Sequence, residues 1–197
     1  MFFLLIGIRC ASAADTVLVF GDSLSAGYGI AVQQSWPALL AERLQREKLP
    51  YGVVNASISG ETTAGGRTRL PAVLKRHRPA VVILALGAND GLRGLPLAES
   101  RANLTQMARA AKAAGARVLL VGMQLPPNYG PSYTRDFAAL FSTVAKQEKT
   151  ALLPFLLEPI ALDDAAFQSD RLHPIAAVQP KILDHVWKSL KPLLKPR

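Results

Sequence analysis

The stretch Thr16-Val17-Leu18-Val19-Phe20-Gly21-Asp22-Ser23-Leu24 decides the fold predicted for this chain. Its β-branched, aliphatic and aromatic start is typical of a buried strand, and the strand stops at Gly21. Asp22 and Ser23 then follow at the strand end, so Ser23 is a candidate nucleophile. A turn followed by a helix N-cap would use the same residue types. Ser25 replaces the second glycine of a nucleophile elbow, so a nucleophilic Ser23 indicates a different serine-hydrolase architecture.

Further apolar runs of strand length alternate with helical patterns along the rest of the chain. The predicted strands after the first span residues 51–56, 81–86, 118–122 and 151–153. Strands that alternate with helices pair in parallel through right-handed crossovers. We therefore expect a three-layer α/β domain, with about five parallel strands and helices on both faces of the sheet.

Residues 1–13 are predicted to be a signal peptide, because an apolar run precedes Ala11-Ser12-Ala13, which resembles a cleavage site. Cleavage after Ala13 would leave residues 14–197 as one periplasmic or secreted domain. No basic residue precedes the apolar run, so a shortened signal, a misplaced start codon and a frayed N-terminus stay open. The only cysteine, Cys10, would leave with the leader, and with it any disulfide or thiolate chemistry.

The formal net charge is +9, which favours anionic surroundings. The basic residues are scattered apart from residues 75–78 and a tail that contains Lys188, Lys191, Lys195 and Arg197. Neither cluster has the interleaved aromatic side chains of a nucleic-acid groove. We expect a monomer with no nucleic-acid partner, and weak association of the tail with anionic lipid is a hypothesis.

Polar features follow the predicted strands at the edge where ligands bind to open parallel sheets. Ser23 follows the first strand, Gly60 the second, Asn89 the third, and Asp170 with His173 the fifth. These residues are expected to meet in one crevice, where His173 takes the proton of Ser23 and Asp170 orients the imidazole. The backbone N–H groups of Ser23 and Gly60 and the Asn89 amide would form the oxyanion hole.

The other histidines are in less suitable places. His77 precedes the third strand, at the opposite edge of the sheet, and His185 lies within the closing helix, near its core stripe. A metal site is the competing interpretation, because Asp163 and Asp164 are close in sequence to Asp170 and His173. One histidine without a cysteine pair does not support zinc, so no metal is expected.

Two loops invite further interpretation. Residues 57–66 are rich in glycine but lack the ending of a P-loop and the spacing of a dinucleotide-binding turn, so nucleotide binding is disfavoured. The proline-rich loop 124–131 forms either a wall of the substrate pocket or a rigid connector. Its candidate substrate-binding residues are Leu125, Pro126, Asn128 and Tyr129.

Four sequence blocks resemble those of the SGNH (GDSL) hydrolases. They are Gly21-Asp22-Ser23-Leu24, Gly60 with its loop, Gly87-Ala88-Asn89-Asp90 and Asp170-Arg171-Leu172-His173. The resemblance implies a flavodoxin-like fold, no cofactor, the site roles given above, and hydrolysis of aryl esters, lysophospholipids and acyl-CoA thioesters.

Two positions depart from the family pattern: Glu61 replaces an Asp, and Arg171-Leu172 replaces a pair that often contains glycine. The second change makes the mouth of the pocket more basic and bulkier.

Two alternative functions stay open. The first is a carbohydrate O-acetylesterase of the same superfamily, which would need a shallow polar pocket instead of a long apolar one. The second is a non-catalytic flavodoxin-like module that binds phosphate or acidic lipid, suggested by the glycine-rich loop and the basic charge. Only the hydrolases require Ser23 and His173 to work together.

Overall fold

The protein is described by a computed structural model that covers residues 14–195. The predicted signal peptide and Arg197 of the tail lie outside the described residues. Five parallel strands form one sheet in the order β2-β1-β3-β4-β5. They are β1 (Asp15–Gly21), β2 (Tyr51–Asn55), β3 (Val81–Ala85), β4 (Arg117–Val121) and β5 (Ala151–Leu153). The predicted fold class is therefore confirmed, with strand bounds that differ by one residue in several places.

Helices cover both faces of the sheet, as predicted. They are α1 (Ser23–Ala26), α2 (Trp36–Arg46), α3 (Thr63–His77), α4 (Ala88–Leu92), α5 (Leu97–Ala113), α6 (Pro131–Glu148) and α7 (Gln179–Leu190). Short 3-10 turns span Val32–Gln34, Pro127–Tyr129, Glu158–Ile160, Asp164–Ala166, Ala176–Val178 and Lys191–Leu193. Within residues 14–195 no helix combines the length and the apolar character needed to cross a membrane.

Alternate side chains of the strands fill two separate cores. Val17 and Val19 of β1 face the core that α2 and α7 cover, whereas Leu18 and Phe20 face the core beneath α3, α5 and α6. Successive side chains of a strand point to opposite faces, so a strand buried on both faces must be apolar throughout. This requirement explains why residues 17–20 of β1 and all of β3 are continuous apolar runs.

The order of the strands places the candidate residues together. The chain moves from β1 outward to β2, then returns to pair β3 with the other side of β1. The carboxyl ends of β1, β2 and β3 are therefore neighbours at the point where the direction of winding reverses, which is the usual position of a ligand crevice. At this edge Gly21 of β1 pairs with Ala85 of β3.

Candidate active site

Ser23 is the first residue of α1, two residues beyond the end of β1. The Asp22 carboxylate accepts a hydrogen bond from the Leu24 N–H at 3.1 Å and caps this short helix. A Cβ atom on Gly21 would lie 2.9 Å from the carbonyl oxygen of Ala85, so the chain needs glycine there to turn close to β3. The turn thus presents Ser23 at the carboxyl edge of the sheet.

His173 and Asp170 meet Ser23 from the other end of the chain. The Nε2 atom of His173 lies 2.8 Å from Ser23 Oγ, and Nδ1 lies 2.6 Å from Asp170 Oδ2. Both distances are those of good hydrogen bonds. An imidazole whose Nδ1–H donates to Asp170 leaves Nε2 as an acceptor for the hydroxyl proton of Ser23. The three residues form a continuous hydrogen-bonded chain.

Asp170 is held in its ionised form by hydrogen bonds. The pKa of Asp170 falls from its ordinary value of 3.8 to about 2, first because the His173 backbone N–H donates to it and then because the His173 ring does. The Leu172 backbone N–H donates to the same carboxylate at 2.9 Å. Asp170 is therefore a carboxylate, and a pure acceptor for the ring, at every pH at which an esterase works.

Gly60, on a loop, and Asn89, in α4, lie beside each other. Asn89 Nδ2 donates to the Glu61 carbonyl at 3.0 Å, and Arg93 donates to the Gly60 carbonyl at 3.1 Å. The Glu61 carboxylate pairs with Arg69 at 2.7 Å, so the Glu that replaces the usual Asp fixes its own loop. Gly60 has φ +79°, a conformation that favours glycine. Among residues 14–195 no hydrogen bond uses the Gly60 N–H.

Asp90, the residue after Asn89, connects α4 to α3 and α5. Its buried carboxylate accepts hydrogen bonds from the Thr63 N–H at 2.9 Å, the Thr63 hydroxyl at 2.5 Å and the Ser100 hydroxyl at 3.1 Å. Asn103 in turn donates to Thr63 at 3.1 Å. A buried polar network whose members are satisfied fixes the geometry around it. Therefore α3, which follows the Gly60 loop, and α4, which contains Asn89, are held in a fixed relation.

A pocket of about 550 Å³ opens next to Ser23 and His173. Ser23, Gly60, Asn89 and His173 all line it. Its apolar wall consists of Leu24, Leu92, Met123, Leu125, Pro126, Pro127, Phe155, Leu157, Leu162, Phe167 and Leu172. A cavity of this size with a few convergent polar groups is typical of a small-molecule site.

The predicted substrate-binding loop contributes only part of this wall. Leu125 and Pro126 line the pocket, whereas Asn128 and Tyr129 are not among its lining residues. The Tyr129 hydroxyl donates to the Leu92 carbonyl at 3.1 Å and so braces the loop instead. The opposite wall comes from residues 155–167, which sequence patterns did not identify because this segment has no helical or strand period.

The remaining histidines lie away from Ser23. His185 in α7 contacts the Phe155 carbonyl at 2.9 Å and the Glu158 carboxylate at 3.3 Å, and His77 ends α3. Of the three histidines, the pocket therefore has only His173 among its lining residues. Within residues 14–195 no group of three or more His, Cys, Asp or Glu side chains is arranged to hold a metal ion.

Asp22 is a buried carboxyl group directly behind the nucleophile. Burial raises the pKa of Asp22 from 3.8 to about 7, against the hydrogen bond from the Leu24 N–H, and the nearby Asp90 carboxylate raises it further. A carboxyl group whose pKa is raised by folding keeps its proton up to a higher pH in the folded protein than in the unfolded chain. Ionised Asp22 therefore lowers the stability of the folded state.

We expect an Asp22→Asn variant to gain stability over the parent as the pH rises. Asp22 loses its proton near pH 3.8 in the unfolded chain and near pH 7 in the folded protein. Between these two values ionisation favours the unfolded chain, so the free energy of unfolding of the parent falls as the pH rises. Each pKa unit corresponds to about 1.4 kcal/mol. Asn keeps the N-cap without ionising. Urea unfolding at pH 5 and pH 8 measures the effect, and Asp136→Asn, at a half-exposed surface ion pair, is the control. If the variant and the parent differed in free energy of unfolding by the same amount at pH 5 and at pH 8, the raised pKa of Asp22 would be contradicted.

Comparisons with known proteins identify the family of this chain. Residues 19–179 match the GDSL-like Lipase/Acylhydrolase family. The chain is 54% identical over 183 residues to esterase TesA of Pseudomonas aeruginosa, covering 93% of this chain and 91% of that protein. It is 44% identical over 194 residues to thioesterase 1/protease 1/lysophospholipase L1 of Escherichia coli K12, covering 98% and 91%. The crystal structure of esterase EstA from Pseudoalteromonas sp., inhibited by monoethylphosphonate, is 39% identical with a TM-score of 0.87, covering 91% and 98%. The chain belongs to the GDSL-like lipase/acylhydrolase family.

Proposed function

We propose that this protein hydrolyses acyl esters and thioesters, with Ser23 as nucleophile, His173 as general base and acid, and Asp170 as the carboxylate that orients His173. The supporting observation is the hydrogen-bonded chain from Ser23 through His173 to Asp170 at the mouth of an apolar pocket. Family membership and relatives named as an esterase and as a thioesterase/lysophospholipase support the same enzyme class, a carboxylic ester hydrolase.

The mechanism follows from the protonation states of the three side chains. His173 Nε2 takes the hydroxyl proton as Ser23 Oγ bonds to the acyl carbon, and Asp170 stabilises the imidazolium. The oxyanion would be met by the N–H groups of Ser23 and Gly60 and the amide of Asn89. The leaving alcohol or thiol takes the proton from His173 as its bond to the acyl carbon breaks. Water then gives a proton to His173, attacks the acyl-enzyme, and releases the carboxylic acid while Ser23 regains its proton.

The pocket favours acyl chains over acetylated carbohydrate. Its wall is built mainly of aliphatic, proline and phenylalanine side chains, which cannot hydrogen-bond to sugar hydroxyls. The glycine-rich loop that suggested a phosphate-binding module lies instead beside Ser23, with Gly60 at the pocket. Neither alternative function is favoured by the relatives or by the site.

We also propose a periplasmic or secreted location, which is supported by the apolar run and Ala11-Ser12-Ala13 in the sequence of residues 1–13. A monomer stays a prediction. Lys195 of the tail lies at the amino edge of the sheet, because its carbonyl accepts hydrogen bonds from Tyr51 and Arg117, which begin β2 and β4. Weak contact between the tail and anionic lipid would therefore leave the pocket on the far side of the protein.

The mechanism is tested by replacing the two residues at the ends of the chain of hydrogen bonds. We expect Ser23→Ala and Asp170→Asn each to lower kcat for nitrophenyl butyrate by about 10⁴-fold, the latter because the amide would favour the wrong imidazole tautomer. Thermal melting should show that both variants stay folded. Ser142→Ala, on the exposed face of α6, is the matched control with unchanged activity. Activity that survives in Ser23→Ala would sink the proposal.

The substrate class is tested with nitrophenyl esters from acetate to palmitate. Each methylene that enters the apolar pocket contributes about 0.8 kcal/mol, so kcat/KM should rise by up to roughly fourfold per added carbon until the pocket is full. The increase in kcat/KM should stop at medium chain length, when the acyl chain fills the pocket. A sharp preference for acetate would instead favour the carbohydrate O-acetylesterase.

Arg171 gives a test of leaving-group preference. It lines the pocket, its backbone has φ +58°, and no ion pair among residues 14–195 engages its guanidinium. A bulky residue in this conformation costs about 1 kcal/mol relative to glycine. We expect Arg171→Gly to keep the turn and to lose an attraction for phosphate-bearing leaving groups, although Asp164 on the same pocket offsets part of it.

The comparison is between hexanoyl-CoA and nitrophenyl hexanoate at low salt. Arg171→Gly should lower kcat/KM for the thioester by about 3- to 10-fold, the effect of roughly 1 kcal/mol, and leave the neutral ester unchanged. Added salt should reduce the difference in kcat/KM for the thioester between the parent and Arg171→Gly. Arg76→Gly, which removes an exposed arginine at the opposite edge of the sheet, is the control. An equal loss of kcat/KM for hexanoyl-CoA and for nitrophenyl hexanoate would show that Arg171 acts on the turn and not on the leaving group.

A further inference from the structure

The side chain of Gln168 joins the two segments that contain the reacting groups. Its Nε2 atom donates to the Tyr28 carbonyl at 2.9 Å and to the Pro174 carbonyl at 3.1 Å. Tyr28 follows the Ser23 helix, whereas Pro174 is the neighbour of His173. We call these two hydrogen bonds the Gln168 bridge. The bond from Gln168 to Tyr28 connects residues 140 positions apart in the sequence. Gln168 itself is only half-buried.

The backbone of Gln168 also closes the turn that contains Asp170 and His173. Its N–H donates to the His173 carbonyl at 2.8 Å, and its carbonyl accepts from the Arg171 N–H at 2.8 Å. Just outside this turn, Phe167 pairs with Pro174 in an antiparallel bridge. The turn is otherwise irregular and largely exposed, so these contacts fix where the His173 ring can lie.

Tyr28 completes the arrangement on the side of the nucleophile. Its N–H donates to the Ser23 carbonyl at 3.3 Å, and its ring packs against the His173 ring with centroids 4.5 Å apart and an angle of 39°. The ring is half-exposed and covers one side of the imidazole. The segment that presents Ser23 therefore also limits the rotation of His173.

Gly29 shows how closely the bridge is fitted. A Cβ atom at this position would lie 2.1 Å from Gln168 Oε1, and Gly29 has φ +73°. Glycine is the residue that allows both the close approach and the left-handed conformation. The Tyr28-Gly29 backbone can therefore pass directly over the Gln168 amide.

We propose that Gln168 is a positioning residue, which together with the Tyr28 ring holds His173 Nε2 in line with Ser23 Oγ. The inference rests on the proposed function, because it assigns Gln168 a role only if Ser23 and His173 react. The Ser23–His173 contact spans two segments that, within the part of the chain that the structure describes, no helix or strand hydrogen bond joins directly. A misplacement of about 1 Å between reacting groups can cost about 100-fold in rate. The Gln168 bridge prevents that misplacement.

Gln168→Met tests the bridge, because methionine keeps the length of the side chain and removes both donors. The measurements are kcat and KM for nitrophenyl butyrate, and the rate and final extent of Ser23 labelling by a small alkyl fluorophosphonate. We expect kcat per labelled site and the labelling rate to fall together by about 10- to 100-fold. KM should stay within about threefold and the final extent should reach that of the parent.

A matched control separates positioning from general stability. Gln147→Met, on the exposed face of α6, should leave every measurement unchanged. If Gln168→Met merely weakened the fold, the melting temperature and the final extent of labelling would fall, but the rate per labelled site would not. That outcome, or rates within about twofold of the parent, would overturn the proposal.

Tyr28 provides a second variant that does not depend on the stability of the turn. Tyr28→Phe keeps the ring and should react with the fluorophosphonate at the parent rate, whereas Tyr28→Leu should react about 10-fold more slowly. Equal rates for the two variants would overturn the role given to the ring. If Ser23→Ala kept its activity the proposed function would fail, whereas an inactive Ser23→Ala with a fully active Gln168→Met would overturn the bridge alone.

Discussion

The 2.8 Å contact between Ser23 Oγ and His173 Nε2 sets the requirement that the rest of the molecule meets. The two residues are 150 positions apart, so their contact depends on how the whole chain folds. Parallel strands bring Ser23, Gly60 and Asn89 to one edge of the sheet, and the irregular segment after β5 returns His173 to the same edge. Short-range contacts then fix each side chain: the Asp22 cap, the Asn89–Glu61 bond and the Gln168 bridge.

Buried carboxyl groups beneath the site indicate that the geometry there is maintained at some cost in stability. Asp22 and Asp90 are both almost fully buried close to the nucleophile. Asp90 accepts three hydrogen bonds, and the two from Thr63 tie the Gly60 side of the site to the Asn89 side. Asp22 is compensated by fewer bonds, and burial raises its pKa to about 7. Such polar groups fix a unique arrangement of loops that an apolar core would leave less specific.

The sequence predicted the parts of the structure that follow from periodicity and strand ends. β1 and β3 were identifiable because strands buried on both faces must be apolar, and the polar residues after them were identifiable because carboxyl ends meet. The far wall of the pocket was not predictable, since residues 155–167 have no period and their packing is decided by tertiary contacts. The Gln168 bridge was also missed, because a lone Gln 140 residues from its partner leaves no local signal. Asn128 and Tyr129 were chosen by loop position alone, which does not fix side-chain direction.

The most direct test is the crystal structure of the protein after reaction with a small fluorophosphonate, a mimic of the tetrahedral intermediate. We expect a bond between phosphorus and Ser23 Oγ. We also expect a phosphonyl oxygen about 2.7–3.1 Å from the Ser23 and Gly60 nitrogens and from Asn89 Nδ2, with His173 beside the leaving position. Phosphorus on another residue, or a phosphonyl oxygen turned away from these three donors, would contradict the proposed mechanism.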